Sequence, residues 1–505
     1  MSALEILHGE LLEASHLSST LSLLGWDQRT HMPAGSGAAR ANQIGYLSEL
    51  YHNKIVSEKT KDALAELVDL ESGELRTISL NSKDARLVKE IWKDYRREAA
   101  LPSEVVVELS RQASVSQQVW EEAKSKNEFS LFVPHLEKMI VLQKRKAEFL
   151  PGNGSAYDKL MDQFEAGLET ETMTALFDTI RKRLVPLIQS ILEVKHRVNG
   201  SVLKKNFNMD AQWEFGIRML KAVGFDFNTG RQDKSVHPFT TSTHPTDVRI
   251  TTRLRENDLK SALLATLHEC GHGLYEQGLP QEDFGTPLGQ PISLGIHESQ
   301  SRLWENLVGL SPEFWKFAYP KLKTQFPEQL KEVDRDQFYL AMNKVIPSMI
   351  RVEADEATYN LHILLRFEIE QQLINDNLSV KELPGLWNDK MENYLGIHPA
   401  TDTEGVLQDV HWSGGAFGYF PTYTLGNLYS VQLFNQAKRD VSGLEEGFAH
   451  GNFQPLLDWL REKIHSKGRS LTAEELILNI TGKPLSAEPF LDYLENKYRT
   501  IYRLG

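Results

Sequence analysis

Apolar residues recur at intervals of three and four positions along most of the chain, a spacing that predicts amphipathic α-helices. The spacing is clear over 3–24 and 38–70, which are separated by a turn with the sequence MPAGSG (32–37). It continues over 75–149, and a further helical run begins near Glu171. The first 200 residues contain no evident catalytic group, so we interpret them as a helical scaffold.

The pattern changes at 236–253, where Thr, Val and Ile alternate with polar residues on either side of the sequence HPTD. Alternation of this kind predicts a β-hairpin. Helical spacing then resumes near 257, and Pro347 interrupts a long helical segment at 335–376, where it predicts a break. Residues 405–426 are rich in Gly and aromatic residues and are predicted to be irregular.

The chain has 505 residues but no Pro-, Ser- or Gly-rich linker, no low-complexity tract and no repeat of fixed period. Length alone favours about three domains. Because nothing in the composition marks a boundary, we predict a single domain over 1–505. Within it, 1–235 forms a helical scaffold lobe, and 236–505 carries the residues expected to bind a metal and a substrate.

Composition and charge exclude several classes of function. The net charge of −13 repels nucleic-acid phosphates and anionic membranes on average. No stretch approaches the ~20 apolar residues that span a bilayer, and the first residues, MSALEILHGELLEASHL, lack the basic and apolar regions of a signal peptide. Cys270 is the only cysteine, so no intramolecular disulfide can form. We predict a cytoplasmic protein that binds neither nucleic acid nor membrane.

The sequence TLHECGHGLYEQG (266–278) places two histidines four residues apart on a predicted helix. They lie within about 40° of each other on the side opposite the apolar stripe and about 6 Å apart along the axis, so they can share one tetrahedral Zn²⁺. We therefore predict His268 and His272 as zinc ligands. The apolar stripe consists of Leu259, Leu263, Leu267, Cys270 and Leu274.

Glu269 follows the first histidine, which completes the His-Glu-x-x-His arrangement of zinc peptidases. A bound metal lowers the pKa of its water towards ~7. Glu269 is predicted to be the general base that takes a proton from this water as it attacks a carbonyl carbon.

A third ligand is expected on the helix that begins within SLGIHESQSRLWENL (293–307). Catalytic zinc sites keep three protein ligands and leave the fourth position to water. Glu298, 26 positions after His272 (298 minus 272), is predicted to be that ligand. His297 and Glu305 are the alternatives, and Glu305, two turns further along the same face, is better suited to support a ligand.

Six motifs stand in one order along the chain: HPF (237–239), DVRIT (247–251), HECGH (268–272), HESQ (297–300), IRVEAD (350–355) and GVLQDVHW (405–412). On these motifs the whole chain resembles the thermostable carboxypeptidase Taq family of metallocarboxypeptidases. This resemblance implies a mainly α fold with a deep active-site cleft and a small β-sheet or hairpin near the metal, similar in plan to neurolysin. It also implies a homodimer that uses Zn²⁺ or Co²⁺ and removes single residues from peptide C-termini with broad specificity.

A carboxypeptidase must bind the free α-carboxylate of its substrate, and a guanidinium does this through two parallel hydrogen bonds. Arg351 and Arg249 lie in two of the motifs and are predicted to take this part, with Arg351 preferred. Asp355, one helical turn later, is predicted to orient Arg351. His237 is predicted to line a substrate subsite.

Similarity to the related helical peptidases assigns His411 and Tyr423 as neutral donors to the oxyanion that forms when water attacks the carbonyl. They lie with Tyr419 in a Gly-rich stretch that can approach a ligand closely. The alternative is that these aromatic side chains only pack the loop.

Two other functions use the same residues. An endo-acting oligopeptidase would share the zinc site but would not need a carboxylate-binding arginine. A non-catalytic helical scaffold with a metal site would more often use four protein ligands and would not need Glu269. We predict a zinc-dependent metallocarboxypeptidase that acts on peptides with a free C-terminus.

Overall fold

The computed structural model describes residues 2–76 and 80–504. Of its residues 68% are helical, which confirms the predicted mainly α fold class. The strands are β1 (Gly230–Lys234), β2 (Thr240–His244) and β3 (Asp247–Thr252). The α-helices are α1 (Ala3–Thr30), α2 (Gly37–Ile55), α3 (Glu58–Leu67), α4 (Ser82–Ala99), α5 (Ser103–Lys126), α6 (Phe129–Phe149), α7 (Ala156–Asp162), α8 (Thr170–Glu193), α9 (Met209–Ala222), α10 (Leu259–Gln277), α11 (Leu294–Arg302), α12 (Pro312–Gln325), α13 (Arg335–Met342), α14 (Tyr359–Ile374), α15 (Leu383–Leu395), α16 (Pro421–Asp440), α17 (Leu444–Ala449), α18 (Gln454–Lys463), α19 (Ala473–Thr481) and α20 (Glu488–Tyr502).

Among the described residues, the predicted helical segments are present but are divided more often than the periodicity indicated; residues 77–79 of the segment 75–149 lie outside the described part. The segment 38–70 forms most of α2 and all of α3, and Pro347 lies in the break between α13 and α14, as predicted. The prediction that 405–426 is irregular is wrong at its end, because α16 already begins at Pro421. Proline favours the first turn of a helix, where its fixed φ is suitable and its missing N–H is not needed.

The sheet has the order β1-β3-β2, with β2 antiparallel and β1 parallel to the central β3. Strands β2 and β3 confirm the predicted hairpin. Strand β1 was not predicted because its sequence, GRQDK, has no apolar alternation. Its buried residues are polar and hydrogen-bonded instead: Gln232 donates to Thr266 (3.4 Å), and Asp233 accepts from Arg231 (2.6 and 2.7 Å).

Helix α10 is oriented by its apolar stripe, as the sequence predicted. The five residues of the stripe are buried, whereas the side chains of His268 and His272 remain 19% and 15% exposed on the other side. The helix begins after Asp258 and ends before Gly278. Burial of the stripe therefore fixes the direction in which both imidazoles point.

Two glycines on either side of His272 allow close contacts with α10. A Cβ at Gly271 would lie only 2.5 Å from the backbone oxygen of Gln300 in α11. A Cβ at Gly273 would lie 2.8 Å from the Phe225 ring and 3.0 Å from the side chain of Ile250 in β3. His272 is therefore placed between a helix contact and a sheet contact, both of which require glycine.

Contacts divide the chain into two compact units, and each takes segments from both sides of residue 235. The first unit contains the sheet, α10 and α11, and the second contains α14 and the GVLQDVHW motif. Among the described residues, no helix combines the length and apolar character needed to cross a membrane. The first unit comprises Met1–Ala99, Ser201–Met342 and Leu433–Pro484, and the second comprises Ala100–Gly200, Asn343–Gln432 and Leu485–Gly505.

We expect Gly271→Ala to lower the free energy of unfolding by about 1–3 kcal/mol, because the added methyl group would force the α11 backbone away from α10. Gly45→Ala in α2 is the matched control. A Cβ there has no neighbour within 4 Å, so this change should leave stability unchanged or raise it by about 0.5–1 kcal/mol. Denaturant unfolding followed by circular dichroism measures both. A Gly271→Ala protein as stable as the parent would contradict the close contact.

Candidate functional site

Three predicted metal ligands converge at one point in the first unit. One ligand atom from each of His268, His272 and Glu298 lies within 4.8 Å of the other two. Oε2 of Glu298 is 3.4 Å from Nε2 of His272 and 3.8 Å from Nε2 of His268. Two imidazole nitrogens and one carboxylate oxygen form the donor set of catalytic zinc sites, so these residues fit a divalent metal ion.

The second nitrogen of each histidine is engaged elsewhere. Nδ1 of His268 is 2.8 Å from Oε2 of Glu305, and Nδ1 of His272 is 2.5 Å from Nδ1 of His297. Both Nε2 atoms are therefore directed at Glu298. The two alternative third ligands, His297 and Glu305, each contact one histidine from outside the three-residue cluster.

Arg302 and Ser301 hold the Glu298 carboxylate. Nε of Arg302 donates to Oε1 (2.6 Å), and the Ser301 hydroxyl donates to Oε2 (3.1 Å). Burial opposes ionisation, but Arg302 and His268 hold the pKa of Glu298 well below its usual range. Arg302 also donates to Glu305 (3.1 Å), which lies on a π-helical segment that continues α11. The carboxylate is therefore ionised and fixed in position.

Glu269 is buried beside this cluster and is held by the sheet. Its Oε2 accepts a hydrogen bond from the hydroxyl of Thr240, the first residue of β2, at 2.7 Å. Burial raises the pKa of Glu269, and His268 and Thr240 oppose that effect. A carboxylate with a raised pKa is a stronger base than an exposed one. The small sheet expected near the metal is thus in direct contact with the predicted base.

Arg29 in α1 was missed by the sequence analysis because no motif surrounds it. Its guanidinium carbon lies 3.6 Å from the ring centroid of Phe239, which belongs to the HPF motif. Burial lowers the pKa of Arg29, and the negative charge of Glu269 raises it. Phe239 thus supports a cation that acts electrostatically on the predicted base.

Arg249 and His237 also lie in the first unit. Arg249 donates from Nε and Nη2 to the two carboxylate oxygens of Asp247 (2.8 and 2.9 Å), and its guanidinium carbon is 4.4 Å from the ring centroid of Trp26. One edge of the guanidinium is therefore occupied by a carboxylate of the chain itself. His237 is exposed, and its backbone oxygen accepts from the hydroxyl of Ser235 (2.7 Å).

Arg351 lies in a buried cluster of the second unit. Its Nε and Nη2 donate to one oxygen of Asp409 (3.1 and 2.9 Å), and its Nη1 donates to the hydroxyl of Tyr359 (3.0 Å). Nε of Arg366 donates to the other oxygen of Asp409 at 2.7 Å. Burial opposes ionisation, but the two guanidiniums hold the pKa of Asp409 far below its usual range. Two cations on one carboxylate leave this group with a net positive charge.

The predicted helical turn from Arg351 to Asp355 is wrong. Arg351–Glu353 form a single 3₁₀ turn, and Ala354 has an extended conformation. The side chain of Asp355 accepts from the backbone N–H groups of Ile346, Ala357 and Thr358. Asp409, which was not singled out in the sequence, is the acid that orients the guanidinium of Arg351.

His411 and Tyr423 are brought together in the same unit. The Tyr423 hydroxyl, in the first turn of α16, is 3.5 Å from Nε2 of His411, and the Tyr419 ring lies 5.5 Å from the imidazole. Burial lowers the pKa of His411 to about 4, and the positive charges of Arg351 and Arg366 act in the same direction. The imidazole is therefore neutral near pH 7. A neutral imidazole and a phenol can each donate a hydrogen bond to an oxyanion.

Glu370 in α14 anchors the loop that carries these donors. It accepts hydrogen bonds from the Tyr157 hydroxyl (2.7 Å), the Trp412 indole (2.8 Å) and the backbone N–H of Gly418 (3.0 Å). Burial raises the pKa of Glu370 to about 7, although these three donors lower it. A single buried carboxyl group thus fixes the loop at two points after His411.

The chain is similar to known proteins over nearly its whole length. A profile of the carboxypeptidase Taq (M32) metallopeptidases matches residues 6–498. The chain is 42% identical to thermostable carboxypeptidase 1 of Thermus thermophilus, with 97% of each sequence covered, and 39% identical to carboxypeptidase 1 of Bacillus subtilis, with 98% and 97% covered. It is also similar to the solved M32 carboxypeptidase of Deinococcus radiodurans (TM-score 0.95, 38% identity, 99% of this chain and 100% of the other) and to metallocarboxypeptidase 1 of Trypanosoma cruzi (TM-score 0.93, 32% identity, 98% and 99%).

We expect Glu298→Ala to weaken Zn²⁺ binding by more than about 100-fold, because it removes one of three protein ligands. Competition with a chromogenic chelator measures the affinity, and circular dichroism reports whether the protein is still folded. The matched control is Glu282→Ala, which removes an exposed glutamate between α10 and α11. If the Glu298→Ala protein bound Zn²⁺ as tightly as the parent, Glu298 would not be a ligand.

Proposed function

Because the chain belongs to the carboxypeptidase Taq (M32) metallopeptidase family and is therefore a peptide-bond hydrolase, we propose that it is a zinc-dependent carboxypeptidase that releases single residues from peptide C-termini with broad specificity. The convergence of His268, His272 and Glu298, with Glu269 beside them, is the observation that carries the proposal. The residues of the second unit support the exopeptidase specificity.

The first unit supplies the metal ligands and the base. Nε2 of His268, Nε2 of His272 and the carboxylate of Glu298 would hold Zn²⁺ or Co²⁺. When bound, such an ion polarises the scissile carbonyl group and makes water more acidic. Glu269 takes a proton from the attacking water and delivers it to the amine that leaves. The Thr240 hydroxyl keeps the Glu269 carboxylate in one orientation during both transfers.

The proposed donors to the oxyanion are neutral groups. As water attacks, the carbonyl oxygen gains negative charge, and donors that are already oriented stabilise it. We assign this part to His411 and Tyr423, which are 3.5 Å apart. The low pKa of His411 supports the assignment, because the imidazole stays neutral over the pH range in which Glu269 acts as a carboxylate.

Charge distinguishes the two arginines proposed to bind the substrate's carboxylate. Arg249 and Asp247 form a one-to-one pair with no excess charge. Arg351 shares Asp409 with Arg366, so this group keeps one uncompensated positive charge in a buried environment. A second carboxylate is attracted more strongly to the Arg351 group than to the Arg249 pair. We therefore propose Arg351 as the principal residue that binds the C-terminal carboxylate, with a smaller contribution from Arg249 and with His237 at an outer subsite.

We expect Glu269→Gln to retain the metal and to lose activity by about 100-fold or more, because the amide cannot accept a proton from water. Elemental analysis gives the metal content, and hydrolysis of a short peptide gives kcat. Glu282→Gln, an exposed glutamate, is the control and should match the parent. Loss of metal from the Glu269→Gln protein would show that Glu269 is a ligand and not the base.

We expect Arg351→Ala to lower kcat/KM for a free-acid peptide by about 10- to 100-fold, because a charge-assisted bidentate contact is lost. The parent should hydrolyse the C-terminal amide of the same peptide poorly, and the substitution should change that rate little. Arg351→Lys keeps the charge opposite Asp409 but not the paired N–H groups, so it should restore only part of the activity. Arg249→Ala should have a smaller effect.

Mass spectrometry of the products checks the type of cleavage in the same samples. A ladder of peptides shortened from the C-terminus supports the exopeptidase. Internal cuts, or equal losses on the acid and the amide in the Arg351→Ala protein, would favour an endopeptidase on this scaffold, with Arg351 serving the fold.

A further inference from the structure

His297 lies between a proposed metal ligand and a carboxylate. Its Nδ1 is 2.5 Å from Nδ1 of His272, and its Nε2 is 2.8 Å from Oε1 of Glu276. Glu276 is on α10, one turn after His272, and His297 is on α11, next to Glu298. The three side chains therefore form a continuous hydrogen-bonded series that ends at the metal cluster.

The contacts of the series determine which nitrogen carries each proton. The Glu276 carboxylate only accepts, so Nε2 of His297 donates to it. In a neutral imidazole the other nitrogen is then an acceptor, so Nδ1 of His297 accepts from Nδ1–H of His272. This leaves the lone pair on Nε2 of His272, the nitrogen that lies 3.4 Å from Glu298.

The contacts of both its nitrogens exclude His297 as a ligand. Its Nδ1 faces Nδ1 of His272, whereas the proposed ligand nitrogen of His272 is Nε2, 3.4 Å from Glu298. Its Nε2 contacts Glu276 at 2.8 Å. His297, the alternative third ligand of the sequence analysis, is therefore a partner of a ligand.

Neighbouring rings keep His297 in this orientation. Its imidazole lies between His272 (ring centroids 4.5 Å apart) and Tyr275 (5.3 Å). Tyr275 is fully buried, and its hydroxyl accepts from the backbone N–H of Ile292 (3.1 Å). His268 has a simpler arrangement, because its Nδ1 contacts Glu305 directly. The two proposed ligands are thus oriented by different carboxylates. His268 contacts Glu305 directly, whereas His272 contacts Glu276 through His297.

We propose that Glu276 and His297 are positioning residues for the metal centre. Glu276 selects the tautomer of His297, and His297 in turn fixes both the tautomer and the ring orientation of His272, so that its Nε2 is available to the ion. Removing such partners typically costs 10- to 100-fold in metal affinity. This inference rests on the proposed metal site formed by His268, His272 and Glu298.

An alternative role for Glu276 and His297, contact with a ligand in a cavity, has to be distinguished from the positioning role. Glu276 and His297 also line a cavity of about 560 Å³ whose wall includes β2 and the hydroxyl-bearing side chains Ser15, Ser18, Ser19 and Ser22 of α1. A residue that only contacted a ligand in this cavity would change KM and leave the metal affinity of the apoprotein unchanged. Metal affinity measured without substrate therefore distinguishes the two roles.

The test uses the complete apoprotein and Zn²⁺ alone, with chelator competition as the readout. We expect His297→Phe, which keeps a ring but no nitrogen, to weaken binding by about 10- to 100-fold. His297→Asn should recover part of this loss, because its side-chain oxygen can still accept from Nδ1–H of His272. Glu276→Gln should weaken binding less than His297→Phe does. The Co²⁺ absorption spectrum should shift in His297→Phe, and Glu282→Gln should match the parent throughout.

A double variant tests whether Glu276 acts through His297. If it does, Glu276→Gln combined with His297→Phe should bind Zn²⁺ no more weakly than His297→Phe alone. Additive losses of Zn²⁺ affinity in the double variant would contradict the proposal that Glu276 acts through His297. Parent-like affinity in a folded His297→Phe protein would also contradict the positioning role. If His297→Phe does not fold, parent-like affinity in both His297→Asn and Glu276→Gln would contradict it. The Glu298→Ala protein distinguishes the two proposals. If it binds Zn²⁺ as tightly as the parent, the metal site itself is overturned. If it loses Zn²⁺ affinity as expected while the His297 variants bind as tightly as the parent, only the positioning role is overturned.

Discussion

The close contact between α10 and α11 at Gly271 is the constraint on which the metal centre depends. Because position 271 has no side chain, the backbone of α11 at Gln300 can lie against α10. This approach brings Glu298 within 3.4 Å of His272 and places His297 against the opposite nitrogen of the same imidazole. Any residue larger than glycine would separate the two helices and with them the proposed ligands. The geometry of the centre is therefore set by a backbone contact before any metal binds.

The sequence alone predicted the parts of the site that lie at regular spacing. His268 and His272 could be placed together because residues four apart share a helix face, and the stripe that includes Leu267 showed which face is buried. His297 could be placed near the cluster, but the direction of its nitrogens depends on how α11 packs against α10. That packing follows from Gly271, whose role is not visible without the neighbouring helix.

Residues that were missed have partners far away in the sequence. Asp409 contacts Arg366 and Arg351, and Glu370 contacts Trp412 and Tyr157, and neither pairing follows any helical or strand period. Strand β1 was missed for a different reason. Its buried residues, Gln232 and Asp233, are polar, so it lacks the apolar alternation by which strands are recognised. Irregular segments and buried polar networks are thus where sequence patterns carry least information.

Each unit contains a buried group with charge of one sign in excess. Around His268, the carboxylates of Glu298 and Glu305 face one guanidinium, that of Arg302, and Glu269 adds a third acid near a second guanidinium, that of Arg29. An isolated buried charge is costly, so this excess of acids stabilises a bound cation. In the second unit the balance is reversed, because Asp409 faces two guanidiniums. That group favours an anion for the same reason. Each unit by itself thus has the charge balance that its proposed ligand requires, a divalent cation in the first unit and a carboxylate in the second.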